Sequence, residues 1–158
     1  MSTLQNFTFD ELTIGQTASY TRTVSEEDVK LFAAVSGDVN PVHLDAEFAA
    51  GTMFKERIAH GMYTAGLISA AIAMEMPGPG TIYLGQNLRF ERPVKIGDTI
   101  TVTLKVLEKT PGKNFVQLDT TATNQTGKTV VSGTANVLPP AEKLRIDRPP
   151  VPRVRIES

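Results

Sequence analysis

Asp38 and His43 stand five positions apart in Ser36-Gly37-Asp38-Val39-Asn40-Pro41-Val42-His43, in a chain with only two histidines. A carboxylate can orient an imidazole, and the two together can bind and activate a water molecule. Imidazole suits such proton transfer because its unperturbed pKa of ~6.5 lies near neutrality. The same residues also have a purely structural use, with Asp38 and Asn40 capping nearby amides and His43 a satisfied loop side chain. The second histidine lies in Arg57-Ile58-Ala59-His60-Gly61-Met62, directly before an apolar run. If a helix begins there, the Gly61 amide is one of its unpaired first-turn donors, and the positive helix end favours an oxygen gaining negative charge. Glycine lets a ligand lie close to the backbone. A tight helix entry accounts for His60-Gly61 equally, and His60 reads as a cap or packing residue rather than a base.

Composition narrows the chemistry. With no cysteine there are no disulfides, thiolate nucleophiles or cysteine metal sites. Two histidines argue against an all-histidine metal cluster within one subunit. A net charge of −1 gives no basic field for nucleic acid, and aromatics at 6% are sparse for base stacking. The start of the chain lacks a basic-then-apolar leader. The longest apolar stretch, Gly61 to Met76, is shorter than the ~20 residues a membrane span needs. The expectation is a soluble, cytoplasmic protein without membrane contact.

The elements that must hold these residues can be read from pattern. Ala18 to Val24 suits a strand. Ser25-Glu26-Glu27-Asp28 resembles a capping box, and Val29, Phe32, Ala33 and Ser36 would share one face of the helix that follows. Gly37 suits its end, which places Asp38 to Leu44 in a loop restrained by Pro41. A short helical piece is predicted from Asp45 through Phe48 and Ala49. Gly61 to Met76 is apolar or small on nearly every face, so a buried helix is expected, ended by Pro77-Gly78-Pro79-Gly80. Beyond it the period becomes two: Ile100, Val102, Leu104 and Val106, then Val116, Leu118, Thr120 and Ala122, then Val131, Gly133, Ala135 and Val137. With Tyr83 to Phe90 these make at least four consecutive strands, most simply an antiparallel meander.

One buried helix beside an antiparallel sheet curved around it is an α+β solution, the hot-dog architecture. Its edge strands need protection, and joining two subunits edge to edge as a homodimer is one remedy. At 158 residues a single domain is expected. It occupies residues 1–138, and residues 139–158 form a proline- and arginine-containing tail, surface-hugging or flexible.

The two motifs together resemble the MaoC-like dehydratase family, especially its (R)-specific enoyl-CoA hydratases. Tyr83-Leu84-Gly85-Gln86-Asn87-Leu88-Arg89-Phe90 and Pro93-Val94-Lys95-Ile96-Gly97-Asp98 follow in the same order and spacing, so the resemblance covers about residues 10 to 138. It implies that Asp38 and His43 are the catalytic dyad around a water, and that the Gly61 amide binds the thioester oxygen. It makes Ser36 and Asn40 supports of the loop, and gives Ser69 a role in positioning the dyad or lining the acyl cleft. The substrate implied is a trans-2-enoyl-CoA thioester, hydrated reversibly to the (R)-3-hydroxyacyl-CoA; an acyl carrier protein is the other carrier to weigh. No metal or redox cofactor is implied, because the thioester is the electron sink. The acyl cleft is expected beside the central helix, lined by Phe54, Ile58, Met62 and Leu67, which are also ordinary core residues. Polyester-precursor supply and fatty-acid metabolism are both open as pathways. The competing functions are an acyl-CoA thioesterase on the same fold and a noncatalytic acyl-CoA-binding subunit. Hot-dog thioesterases generally lack this aspartate–histidine spacing, and binding alone needs no dyad.

Overall fold

In the computed structural model, which describes residues 2–157, the predicted capping box starts α1 (Glu26–Ser36): Ser25 Oγ accepts from the Asp28 amide at 3.0 Å, and the Asp28 carboxylate accepts from the Ser25 amide. The segment after Gly37 differs from the expected loop, because it contains a one-turn helix, α2 (Pro41–Leu44). Asn40 caps that turn by accepting from the Val42 amide at 3.2 Å, and Pro41 sits at its first position, where a missing N–H costs nothing. Asp45 caps α3 (Ala46–Ala50) through the Phe48 amide, as its position predicted.

The long apolar run forms α4 (Gly61–Met74). Its Tyr63, Leu67, Ile68, Ala71 and Ile72 enter the core, whereas Met62, Gly66, Ser69 and Ala73 lie on an open face. The helix is therefore not buried all round in the single chain. The open face is made of small residues and one methionine at helical spacing, and it borders a groove described below.

The strands are β1 (Thr3–Gln5), β2 (Thr17–Thr23), β3 (Ile82–Gln86), β4 (Arg89–Phe90), β5 (Thr99–Thr110), β6 (Phe115–Thr123), β7 (Thr129–Ser132), β8 (Thr134–Leu138) and β9 (Arg145–Asp147). All ladders are antiparallel, and the main sheet runs β2-β5-β6-β7-β4, with β8 pairing both β6 and β3. The expected meander holds from β5 through β8. It fails for Tyr83 to Phe90, which crosses to the far edge and pairs with β7 and β8 instead of preceding β5. The edge segment and the β7–β8 segment beside it are broken in two at matching places. Gly133 separates β7 from β8, and a Cβ there would collide with the Asn87 carbonyl oxygen. Asn87 bonds across the gap to Thr134 through its amide at 3.0 Å and its side chain at 2.6 Å.

The inward rows Ile100, Val102, Leu104 and Val106 of β5 and Val116, Leu118 and Ala122 of β6 pack against α4. Each buried aliphatic side chain contributes about 1.5–3 kcal/mol relative to exposure. This helix-on-curved-sheet core is what fixes the start of α4 in space. A separate two-stranded sheet joins β1 to β9 in the register Thr3↔Asp147, Leu4↔Ile146 and Gln5↔Arg145. Asn6 reinforces it: its side-chain amide donates to the Pro79 and Glu142 carbonyls, and its Oδ1 accepts from the Leu144 amide. No helix among the described residues is long and apolar enough to cross a membrane.

Candidate active site

The C-terminal end of α1, the α2 turn and the first residue of α4 converge. Ser36 Oγ donates to the Phe32 carbonyl at 2.7 Å and accepts from the Asp38 amide at 3.1 Å, so the helix exit hands the chain directly to Asp38. Asp38 Oδ1 then accepts from the Asn40 amide at 3.1 Å. These local bonds form a relay of small polar side chains, each setting the backbone two residues further on.

His43 is buried, and its ring is fixed by donation from Nδ1–H to the Ile58 carbonyl at 2.7 Å. The carbonyl can only accept, so Nδ1 carries the proton and Nε2 of the neutral ring presents a lone pair. That Nε2 lies 3.9 Å from Asp38 Oδ2. The gap is too long for a direct hydrogen bond and suits one water touching both atoms.

His60 was expected to cap or pack, and its side chain makes no cap bond. Instead Nε2–H donates to the Asp38 carbonyl at 2.9 Å. Its ring stacks on His43 at 3.7 Å between centroids, and Phe32 packs on it at 4.8 Å. Asp38, His43 and His60 offer atoms within 4.8 Å of one another. The two rings are only 26° from parallel, so their in-plane lone pairs run side by side rather than converging at the ~2.0–2.1 Å that a shared ion requires. Among the described residues, the buried side-chain polar atoms without a partner are His60 Nδ1 and Thr64 Oγ1.

Gly61 is the first residue of α4, where an amide has no intrahelical acceptor. A Cβ at Gly61 would lie 2.7 Å from Phe90 Cε1, so the ring of Phe90 rests on the glycine. A cleft of about 530 Å³ opens beside it, lined by Phe54, Ile58, Met62, Thr64, Phe90 and Val94 among others. Three of the expected acyl-cleft residues, Phe54, Ile58 and Met62, thus meet around Gly61. Leu67 lies elsewhere, buried in the core and bordering a separate groove with Tyr20, Tyr63 and Val151. Ser69, about two turns beyond Gly61, lines a third space of about 600 Å³ along the open face of α4, with Met62, Gly66, Tyr83, Leu88 and Phe90. Phe32, Thr64 and Phe90 were not assigned to the site from sequence. Phe32 was read only as part of the apolar face of α1 and Phe90 only as the end of the Tyr83 to Phe90 motif, and Thr64, inside an apolar run, carried no local signal.

The cations near the cleft are largely engaged. Arg57 pairs with Glu26 at 3.2 Å, Lys95 pairs with Glu56 at 3.3 Å, and Arg92 donates to the Thr129 carbonyl at 2.6 Å. Behind the site, Arg22 grips Asp28 through Nε at 2.9 Å and Nη2 at 2.6 Å, and the Tyr63 hydroxyl donates to the same carboxylate at 2.7 Å. Burial acts to raise the pKa of Asp28, but Arg22, Tyr63 and the Ser25 amide outweigh it and hold the group at about 2. Burial and the neighbouring Asp28 carboxylate push the Tyr63 hydroxyl well above its ordinary range.

Fold and site together define a hot-dog domain in which His60 and the helix-initial Gly61 line an apolar cleft, and His60 in turn touches Asp38 and His43. Residues 11–128 match the MaoC like domain family, and the chain belongs to it. It is 49% identical over 133 residues to a Rhodospirillum rubrum protein named (R)-specific enoyl-CoA hydratase, over 84% of this chain and 92% of that one. The unliganded R-hydratase PhaJ1 of Pseudomonas aeruginosa superposes with a TM-score of 0.94 at 58% identity, covering 99% of this chain and 100% of that chain. The (R)-hydratase of Aeromonas caviae, involved in PHA biosynthesis, gives a TM-score of 0.80 at 41% identity, over 82% of this chain and 98% of that chain.

Proposed function

We propose that the protein catalyses reversible hydration of trans-2-enoyl-CoA to (R)-3-hydroxyacyl-CoA. The observation that carries this is the 3.9 Å gap between His43 Nε2 and Asp38 Oδ2, with Nδ1 already committed to Ile58. A water held there has a lone-pair acceptor and a carboxylate beside it. Its oxygen bonds to C3 while the C2=C3 π bond opens toward the thioester. The Gly61 N–H, at the positive end of α4, binds the thioester oxygen as charge gathers on it. Asp38 and His43 act as one unit that takes a proton from the water and delivers one to C2, so the net change is addition of water. Ser36 and Asn40 hold the loop, and Phe54, Ile58 and Met62 line the apolar approach. Ser69 borders the groove along α4.

We further propose a homodimer. The β3 strand pairs on one side only, with β8, and exposes Ile82, Tyr83 and Leu84. The open face of α4 lies beside it, and a second copy would cover both.

The test of function follows the enoyl-thioester absorbance of crotonyl-CoA, with chiral analysis of the product. Loss of absorbance with (R)-3-hydroxybutyryl-CoA formed is the expected result; release of free thiol without hydration would favour the thioesterase. Gly61→Ala probes the oxyanion site. The new methyl group must displace the half-exposed ring of Phe90, which then crowds the cleft mouth. The expected result is a fall in kcat/KM of roughly 10- to 100-fold, since small misplacements of substrate carry such costs. The melting temperature should change little, because the displaced group is the free end of a side chain.

A further inference from the structure

We propose that His60 and Thr64 form a positioning pair for the dyad: Thr64 holds the His60 ring, and His60 holds Asp38. The inference rests on the hydratase function proposed above. Asp38 is half exposed, and among the described residues its side chain hydrogen-bonds to the Asn40 amide two residues on and to nothing further away. A catalytic carboxylate on such a loop needs an anchor from outside the loop. The His60 ring supplies it, donating from Nε2–H to the Asp38 carbonyl at 2.9 Å while stacking on His43 at 3.7 Å. One side chain thereby touches both members of the dyad and sets their separation.

The ring in turn needs its own rotation fixed. His60 is 3% exposed and Thr64 0% exposed, and both line the cleft beside Gly61. His60 is the N-cap of α4, Thr64 lies in its first turn, and both face the same cleft. With Nε2 protonated toward Asp38, Nδ1 of the neutral ring is an acceptor, and the Thr64 hydroxyl is a donor. Among the described residues, the two unpartnered buried polar side-chain atoms are therefore chemically complementary and belong to residues of one cleft wall. Thr64 reaches Nδ1 directly after a side-chain rotation, or through one enclosed water.

Thr64→Val tests this, because valine keeps the shape and removes the hydroxyl. A hydroxyl without a function in a dry site would be replaced at no loss of stability. The positioning role predicts instead a kcat lowered roughly tenfold with KM unchanged, a lowered melting temperature because Nδ1 loses its partner, and recovery of both in Thr64→Ser. Ring-nitrogen chemical shifts give a readout independent of turnover, since the chain holds only two imidazoles. The His60 signals should move in Thr64→Val and return in Thr64→Ser. Wild-type kcat together with unmoved His60 shifts in Thr64→Val would overturn the pair. Failure of the wild-type protein to hydrate any enoyl thioester would instead sink the proposed function, and the shifts would still decide whether the pair exists.

Discussion

Asp38→Asn should abolish nearly all hydration of crotonyl-CoA while leaving the fold intact, with kcat reduced about 10²- to 10⁴-fold, the range a positioned acid–base group supplies. The substitution separates two uses of one side chain. Asparagine keeps Oδ1, so it can still accept from the Asn40 amide and preserve the entry to α2. It loses the charge at Oδ2 that faces His43 Nε2 across 3.9 Å. The carboxylate is half exposed and its cap bond survives the substitution, so the melting temperature should shift by no more than a few degrees. His43→Asn should cost a similar factor, and the double variant only slightly more, because groups acting on one water are strongly non-additive. Single and double variants measured by the absorbance assay at one pH settle the matter. An Asp38→Asn protein retaining its full kcat would mean that the capping use is the whole role of Asp38.

The second large effect lies away from the cleft. Asp28→Ala should destabilise the protein by about 2–3 kcal/mol, below the usual ~3–5 for breaking a buried pair, because Arg22 is 40% exposed and can turn to water. The alanine leaves the buried Tyr63 hydroxyl without its acceptor and removes part of the α1 capping box. A fall in melting temperature of roughly 5–10 °C follows for a chain of this size. The same triad sets two pH limits. The Asp28 carboxyl titrates at about 2 in the folded protein, below the free value of 3.8. Its contribution is present in full above pH ~4 and is lost as pH falls from ~4 toward ~2. For Tyr63 the sign is reversed: its raised pKa stabilises the fold below pH ~10, and that contribution is lost as the solution becomes more alkaline. Denaturant midpoints across the acid range should fall more steeply for the wild type than for Asp28→Ala. Parallel curves would remove Asp28 from the account.

Local pattern made much of this molecule legible. The box at Ser25 and the alternation in β5 and β6 are properties of neighbouring residues, and they folded as read; the α4 helix formed as expected but leaves one face open instead of being buried all round. Pairing partners are not local properties, which is why Tyr83 to Phe90 was placed beside β5 when it lies at the far edge. Gly133 was a usable signal, since glycine within an alternating run often marks a break where another backbone approaches. Pro41 after Asn40 likewise could have announced α2. The motif resemblance drew attention to Asp38, His43 and Gly61; in the structure Gly61 lines the cleft, and Asp38 and His43 adjoin its neighbour His60. The bond from His60 to the Asp38 carbonyl spans 22 positions and had no signature in the sequence.

The ladder between β1 and β9 also bears on how the chain comes to fold during synthesis. Leu4 is made before the main sheet, yet its partner Ile146 follows only after the whole of that sheet has been made. Closing so long a loop is slow, and the β1 edge must wait unpaired meanwhile. The β1–β9 clasp is therefore a last step of assembly, laid over a hot-dog core that α4 and β5 through β8 can already complete.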